Sequence, residues 1–296
     1  MSRVVVVGLE GLDPNLVVLW SNELPNLMRI HSQGIWGKIQ STEPLSMLQS
    51  WTSAQTGCST VAIKADPLFR LLSKRGKKVA IVSVPGFSPP PYVPGGYSVS
   101  CSITPDLKNY TSPASLKNEI EQLVGEYTFD VSLPDVDYRK IDKNTVLQYA
   151  YKMDNQRFEL LKHFINKKQC DYVFAVLMGV NRVAGILDAD KTENQNVLKE
   201  YYVFIDQKLG ELYEVLNDDT ALLVHSNYND GNNGIYGYFS LVGSGVQTGG
   251  EKQDVTLLDL APTVLTIMGE EIPGEIEGKP LVKPQENDLE SGFLGY

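Results

Sequence analysis

Val4-Val5-Val6-Val7-Gly8-Leu9-Glu10-Gly11-Leu12-Asp13-Pro14 is the stretch on which the architecture of this chain turns. A short, continuous apolar run closed by glycine reads as a strand covered on both faces, as in a parallel sheet. Asp13-Pro14 then supplies an N-cap and a proline at the first helical position, opening a helix toward Trp20. Working outward, Pro25 to Ser32 reads as a short helix stopped at Gly34, and Ile35 to Ile39 as a strand. Ser50 to Thr56 reads as a helix ending at Gly57. Leu68 to Lys74 is a predicted helix with basic residues in its last turn and Gly76 after it, followed by the strand Lys78 to Val84.

Residues 85 to about 115 are rich in proline, glycine and serine around Pro89-Pro90-Pro91 and read as an ordered loop. Residues 115 to 126 and 143 to 168 read as helices, the second with Leu147, Tyr151, Phe158, Leu161 and Ile165 at helical spacing. Asp171 to Met178 is a predicted strand and Asn196 to Leu216 a helix. Ala221 to Val224 is a further strand, running out into His225-Ser226-Asn227-Tyr228-Asn229. Phe239 to Val242 reads as a strand, and Val255 to Met268 as a helix with an internal Pro262. Strands alternating with helices of about a dozen residues imply an α/β fold, with a mainly parallel central sheet covered by helices on both faces. The expected organisation is one domain over 1–282, with 85–150 as an excursion or small cap, and a flexible acidic tail over 283–296.

Composition narrows the partners. The 26 basic against 36 acidic residues leave a formal net charge of -10, which argues against non-specific binding to nucleic acid or anionic lipid. No run is apolar enough to span a bilayer, and Met1-Ser2-Arg3 leads directly into a strand, so a cytoplasmic location is expected. The three cysteines, Cys58, Cys101 and Cys170, are scattered and odd in number and read as reduced thiols.

Several segments together resemble the alkaline phosphatase-like superfamily, in particular its type I phosphodiesterase and nucleotide pyrophosphatase branch. The opening stretch resembles that family's first strand and turn. Leu24-Pro25-Asn26-Leu27 with Gly34-Ile35-Trp36-Gly37 resembles the next helix and strand, and Ser50-Trp51-Thr52-Ser53 with Thr56-Gly57 resembles the nucleophile helix. Gly76 to Pro85, Pro89-Pro90 and Thr104-Pro105 are similar to the stretch that follows. Leu258 to Leu265, Ile272-Pro273 and Glu277-Gly278-Lys279-Pro280-Leu281 resemble the family's C-terminal part, so that the likeness covers roughly residues 3 to 282. It implies the three-layer alkaline phosphatase-like sandwich.

The resemblance also implies two divalent metals, commonly zinc, held by Asp and His ligands, with a metal-bound Thr or Ser as nucleophile. Two cations about 4 Å apart stabilise both the attacking and the leaving oxygen of an in-line displacement. In this chain the ligand positions fall on Glu10, Asn181, Gly185, Asn227, Tyr228 and Asn233, and none keeps the family's residue type. The nucleophile position falls on Met47, with Ser46 beside it. His31 and His163 lie in ordinary helices, and His225 precedes the ligand pair by two positions.

Neutral amides do not supply the charge that holds zinc. No cofactor is therefore expected; the cation the remaining donors suit is a single Mg²⁺ or Ca²⁺ on Glu10 with the carbonyl oxygens of Asn181 and Asn227. Ser46 reads as a cap or loop serine, since no adjacent base activates it. Asn227, Tyr228 and Asn229 read either as a polar ligand-binding rim or as a solvated loop, and Asp188, Asp190 and Glu193 as a solvated face. The expected function is that of a pseudoenzyme, a cytoplasmic binding or scaffolding protein with a protein partner or a homo- or hetero-oligomeric assembly. The alternative is a metal-dependent phosphodiesterase or nucleotide pyrophosphatase with a remodelled site, using Ser46 or Tyr228 as nucleophile and Glu10 as ligand or base.

Overall fold

The valine run lies at the centre of the sheet. In the computed structural model, β1 (Arg3–Leu9) pairs in parallel with β6 (Tyr172–Leu177) on one side and β7 (Thr220–His225) on the other. Residues 2–43, 45–59, 65–101, 106–131, 137–187, 192–227 and 234–284 are described, side chains 138 and 192–194 excepted. Every residue of β6 and β7 is buried, which is why these strands read as unbroken apolar runs rather than alternating ones.

The remaining strands are β2 (Ile35–Gln40), β3 (Val79–Val82), β4 (Tyr97–Val99), β5 (Thr111–Ser112), β8 (Tyr236–Gly243) and β9 (Gly250–Thr256). Among the described residues the sheet has nine strands in the order β5-β4-β3-β6-β1-β7-β8-β2-β9. β8 and β5 run against the rest, β8 pairing antiparallel with β7 and β2, and β5 with β4. The expected mainly parallel sheet is present.

Helices cover both faces. The helices α3 (Met47–Thr56), α4 (Leu68–Lys74) and α9 (Leu260–Ile267) lie on one side, where Gln55 bonds the Tyr172 hydroxyl at 3.0 Å. The other side carries α2 (Pro25–Gln33), α6 (Lys143–Asn166), α7 (Gly179–Ile186) and α8 (Thr192–Glu214). The short α1 (Pro14–Leu19) opens as its sequence demands, the Asp13 carboxylate accepting the Asn15 N–H at 2.7 Å. Within 85–150, β4 and β5 extend the sheet and α5 (Leu116–Val124) packs against α6.

Three expectations are corrected. Val255 lies not in a helix but in the edge strand β9, whose Glu251, Gln253 and Asp254 are exposed and hide the strand pattern. The helix behind it starts only after a 3-10 turn over Leu257–Asp259, held by a capping box between Thr256 and Asp259. The helix expected from Ser50 begins at Met47. Part of the stretch read as a loop after residue 85 forms β4 and β5, short edge strands that local sequence marks poorly. All three cysteines are free and buried, and among the described residues no helix is long and apolar enough to cross a membrane.

Candidate functional site

Ligands of doubly wound sheets bind beyond the carboxyl ends of the parallel strands, and Glu10 stands at that end of β1. Its backbone is fixed on both sides: the N–H donates to Leu177 O at 3.0 Å, and the carbonyl accepts from Asn181 N–H at 3.0 Å. The side chain is 2% exposed, and its Oε2 accepts a 2.6 Å hydrogen bond from the indole Nε1 of Trp51. Trp51 is fully buried on α3, and its ring lies over Gly8. A Cβ at residue 8 would stand 2.3 Å from Trp51 Cη2, so only glycine admits the indole here.

His225 packs into the same corner. Its ring centroid is 5.0 Å from that of Trp51 and 6.2 Å from that of Phe174, which it stacks upon. Burial pushes its pKa down to about 3, a contact with the Ser226 backbone opposing this only in part. Its Nδ1 has no hydrogen-bond partner among the described residues. Ser226 ties the strand end to its surroundings, donating to Leu12 O at 2.7 Å and accepting from Tyr238 N–H at 2.9 Å. Asn227 is wholly buried, and among the described residues neither its Oδ1 nor its Nδ2 has a partner. Asn227 itself is thus not part of a solvated loop, and Tyr228 and Asn229 lie outside the described residues.

Asn181 lies near the start of α7, close against Gly11, and its Oδ1 accepts from Arg182 Nη1 at 2.8 Å. Arg182 in turn clasps Asp130 through Nε and Nη2 at 2.8 and 2.7 Å, the paired geometry in which guanidinium and carboxylate bind most strongly. Gly185 is an exposed helical residue and offers no side chain. Ser46 is the N-cap of α3 but makes no capping bond through its side chain, and Met47 packs half-buried against the core. Tyr228 and Asn233 lie outside the described residues, as do Asp188, Asp190 and the side chain of Glu193. The structure thus gathers Glu10, Asn181 and Asn227 around the ends of β1 and β7, while Gly185 lies further along α7 and has no side chain to offer.

These donors do not suit a pair of zinc ions, which require several imidazole, thiolate or carboxylate ligands. Glu10 Oε2 already faces an N–H, Asn181 Oδ1 faces a guanidinium, and His225 lies between aromatic rings. Among the described residues no group of three or more His, Cys, Asp or Glu side chains could hold a metal ion.

Solved structures supply the frame for this geometry. The chain superposes on the lipoteichoic acid synthase LtaP from Listeria monocytogenes with a TM-score of 0.60 at 14% identity, over 93% of this chain and 74% of the other. It matches an inactive variant of murine ectonucleotide pyrophosphatase/phosphodiesterase 5 in complex with AMP, with a TM-score of 0.57 at 10% identity, covering 92% of this chain and 96% of that one. A protein in the alkaline phosphatase superfamily from Vibrio parahaemolyticus matches all of this chain and 73% of its own length, at 15% identity and a TM-score of 0.57. The fold is alkaline phosphatase-like. Sulfatases share this architecture with the chain as well. No protein-family model matches the sequence, and no curated protein does either.

Within the alkaline phosphatase-like frame, sequence reasoning missed the part played by Trp51, which serves there only as a landmark of the nucleophile helix. The available signal was Gly8: a glycine closing a buried strand marks a close approach by something large. The Asp130–Arg182 pair left no signal, because its members are far apart in the chain and belong to no motif.

Proposed function

We propose that this chain is a catalytically silent alkaline phosphatase-like protein that acts as a binding or scaffolding subunit in the cytoplasm, with a protein as its partner. The observation that carries the reading is the hydrogen bond from Trp51 to Glu10. The carboxylate at the first ligand position is turned onto an indole N–H, and the indole occupies the space above Gly8. The same corner holds a neutral, buried His225 and an Asn227 amide with no partner among the described residues. None of these side chains is arranged as a base for a nucleophile. Beside the start of α3, Leu45 and Leu48 are 41% and 45% exposed, an apolar margin of the kind protein partners cover.

A competing reading, hydrolysis of phosphodiesters or nucleotide pyrophosphates, is favoured by one observation: the Ser46 hydroxyl is not used to cap α3. Two measurements decide between them, namely metal content of the purified protein and hydrolysis of an aryl phosphodiester with Zn²⁺, Mn²⁺ or Mg²⁺ added. The silent protein retains no stoichiometric metal and shows no turnover above the blank. Stoichiometric metal, or turnover abolished by Glu10→Ala and Ser46→Ala, overturns the proposal.

A further inference from the structure

β9 is an edge of the sheet, with β2 on one side and no strand on the other among the described residues. Segment 277–283 runs beside that outer side in the opposite direction, and its bonds go elsewhere. Glu277 N–H donates to Gly57 O at 2.9 Å, Lys279 N–H to Asp259 Oδ1 at 2.7 Å and Leu281 N–H to Thr263 Oγ1 at 2.9 Å. Val282 and Lys283 then wall a notch with Thr248 and Gly249, just before β9 begins. A slot therefore stays open along the edge, about 370 Å³ between β9 and 277–281 and about 160 Å³ at the notch. Lys252 turns its carbonyl toward β2, where a Cβ at Gly37 would stand 2.4 Å from it. The peptide groups of its neighbours in the strand accordingly face the slot, the unpaired row that an edge strand offers to a further chain.

Three lysines line this slot, Lys252, Lys279 and Lys283. None of their ammonium groups has an ion-pair or hydrogen-bond partner among the described residues, in a chain whose net charge is -10. Lys252 is half-buried and folds back over the notch, its Nζ 3.2 Å from where a Cβ at Gly249 would stand. No acidic side chain lines the notch. In the wider part, the Asp259 carboxylate already takes the Thr256 hydroxyl and the N–H groups of Thr256 and Lys279. Glu277 takes the hydroxyl and N–H of Ser59. Asp254 is exposed where the β2–β9 register shifts. The vacant charge of the slot is thus positive, and most so at the notch.

We propose that this slot is a docking groove and that its occupant is the chain's own acidic segment 285–290, strapped over the open edge of the sheet. The described chain reaches Pro284 at the mouth of the notch, and Glu286, Asp288 and Glu290 follow within six residues. Six extended residues span roughly 20 Å, close to the length of the seven-residue β9. Turning back at Pro284, the segment brings Glu286 and Asp288 to Lys252 and Lys283, and Glu290 toward Lys279. Exposed ion pairs are individually weak. The short tether makes up for this, because it holds the carboxylates at an effective concentration in the millimolar range. The strap shields an edge that would otherwise template pairing with another chain.

Carbodiimide coupling of the full chain reads the contact: a lysine amine and a carboxyl join as an amide, and the carbodiimide takes up the water. Mixing nitrogen-14 and nitrogen-15 protein separates links within a chain from links between chains. The expected links join Lys252 to Glu286 or Asp288, and Lys279 to Glu290, within one chain. Absence of these links overturns the proposal, and links confined to pairs of chains make a second copy the occupant. Amide hydrogen exchange over Gly250–Thr256 adds a readout that a loose tail would not move. Glu286→Gln, Asp288→Asn and Glu290→Gln together should speed it about threefold or more, as for a strap seated at least about two-thirds of the time. Exchange unchanged in that variant overturns the strap even where links form.

Discussion

Trp51 and Glu10 meet at 2.6 Å across the end of β1, an indole donor on a buried carboxylate. The bond matters because Glu10 lies out of water, where an oxygen stripped of its donor keeps its desolvation cost. Trp51→Phe removes the donor and part of the ring, and is expected to cost about 2–4 kcal/mol in urea denaturation. Glu10→Gln keeps an acceptor facing the indole. In that background the same Phe substitution should therefore cost measurably less, and equal costs in both backgrounds would show that packing alone holds Trp51.

Gly8→Ala tests the same corner from the strand side. The new Cβ would fall 2.3 and 2.5 Å from Trp51 Cη2 and Cζ3, distances that force the indole to move. The single substitution should destabilise by about 1–3 kcal/mol. Combining it with Trp51→Phe should be less damaging than the sum of the two, because the atoms that clash are among those removed. Strict additivity in thermal melts would mean that the strand, not the indole, yields.

The frame of this molecule is legible in its sequence, and the filling of its site is not. Val4 to Val7, Asp13-Pro14 and the Leu260 to Leu265 segment announce their elements because local rules coincide there: an apolar run, a cap with proline, a continuous helical face. β9 escapes because an edge strand needs only one buried side chain, Val255, and shows water its charges. The residue types at the expected ligand positions can be read one by one, but what they pack against cannot. Trp51 over Gly8 and Arg182 on Asp130 join residues 43 and 52 positions apart. Such pairings follow from tertiary packing, which no local window contains.

Asn227 yields a prediction of opposite sign to most core substitutions. Its amide is wholly buried with both polar atoms unpartnered among the described residues, and an unsatisfied buried polar group costs about 1–3 kcal/mol. Asn227→Leu, similar in size and apolar, is expected to stabilise the fold by about 1–2 kcal/mol on the same principle. A loss of stability would mean that the amide is satisfied in solution by ordered water, and a crystal structure of the variant would show whether such a site has been emptied.

His225 sets the response to acid. In the fold its pKa is pushed from 6.5 down to about 3 by burial, and His31 is pushed down to about 4 for the same reason. Unfolding restores the ordinary value, so between about pH 6.5 and pH 3 the unfolded chain binds more protons than the folded one. Stability is therefore full above pH 6.5 and falls as the pH drops through that window. Asp154, raised to about 7, acts oppositely over the same range, its contribution growing as the pH falls. A single melting curve mixes the two, and a difference between variants separates them. His225→Phe keeps an aromatic ring between Trp51 and Phe174 while deleting the titration. Its stability relative to the unaltered protein should rise steadily as the pH is lowered from 6.5 to 4, with no such trend between pH 7 and 8. A difference independent of pH would show that His225 is protonated or solvated in the folded protein, contrary to its place among those rings.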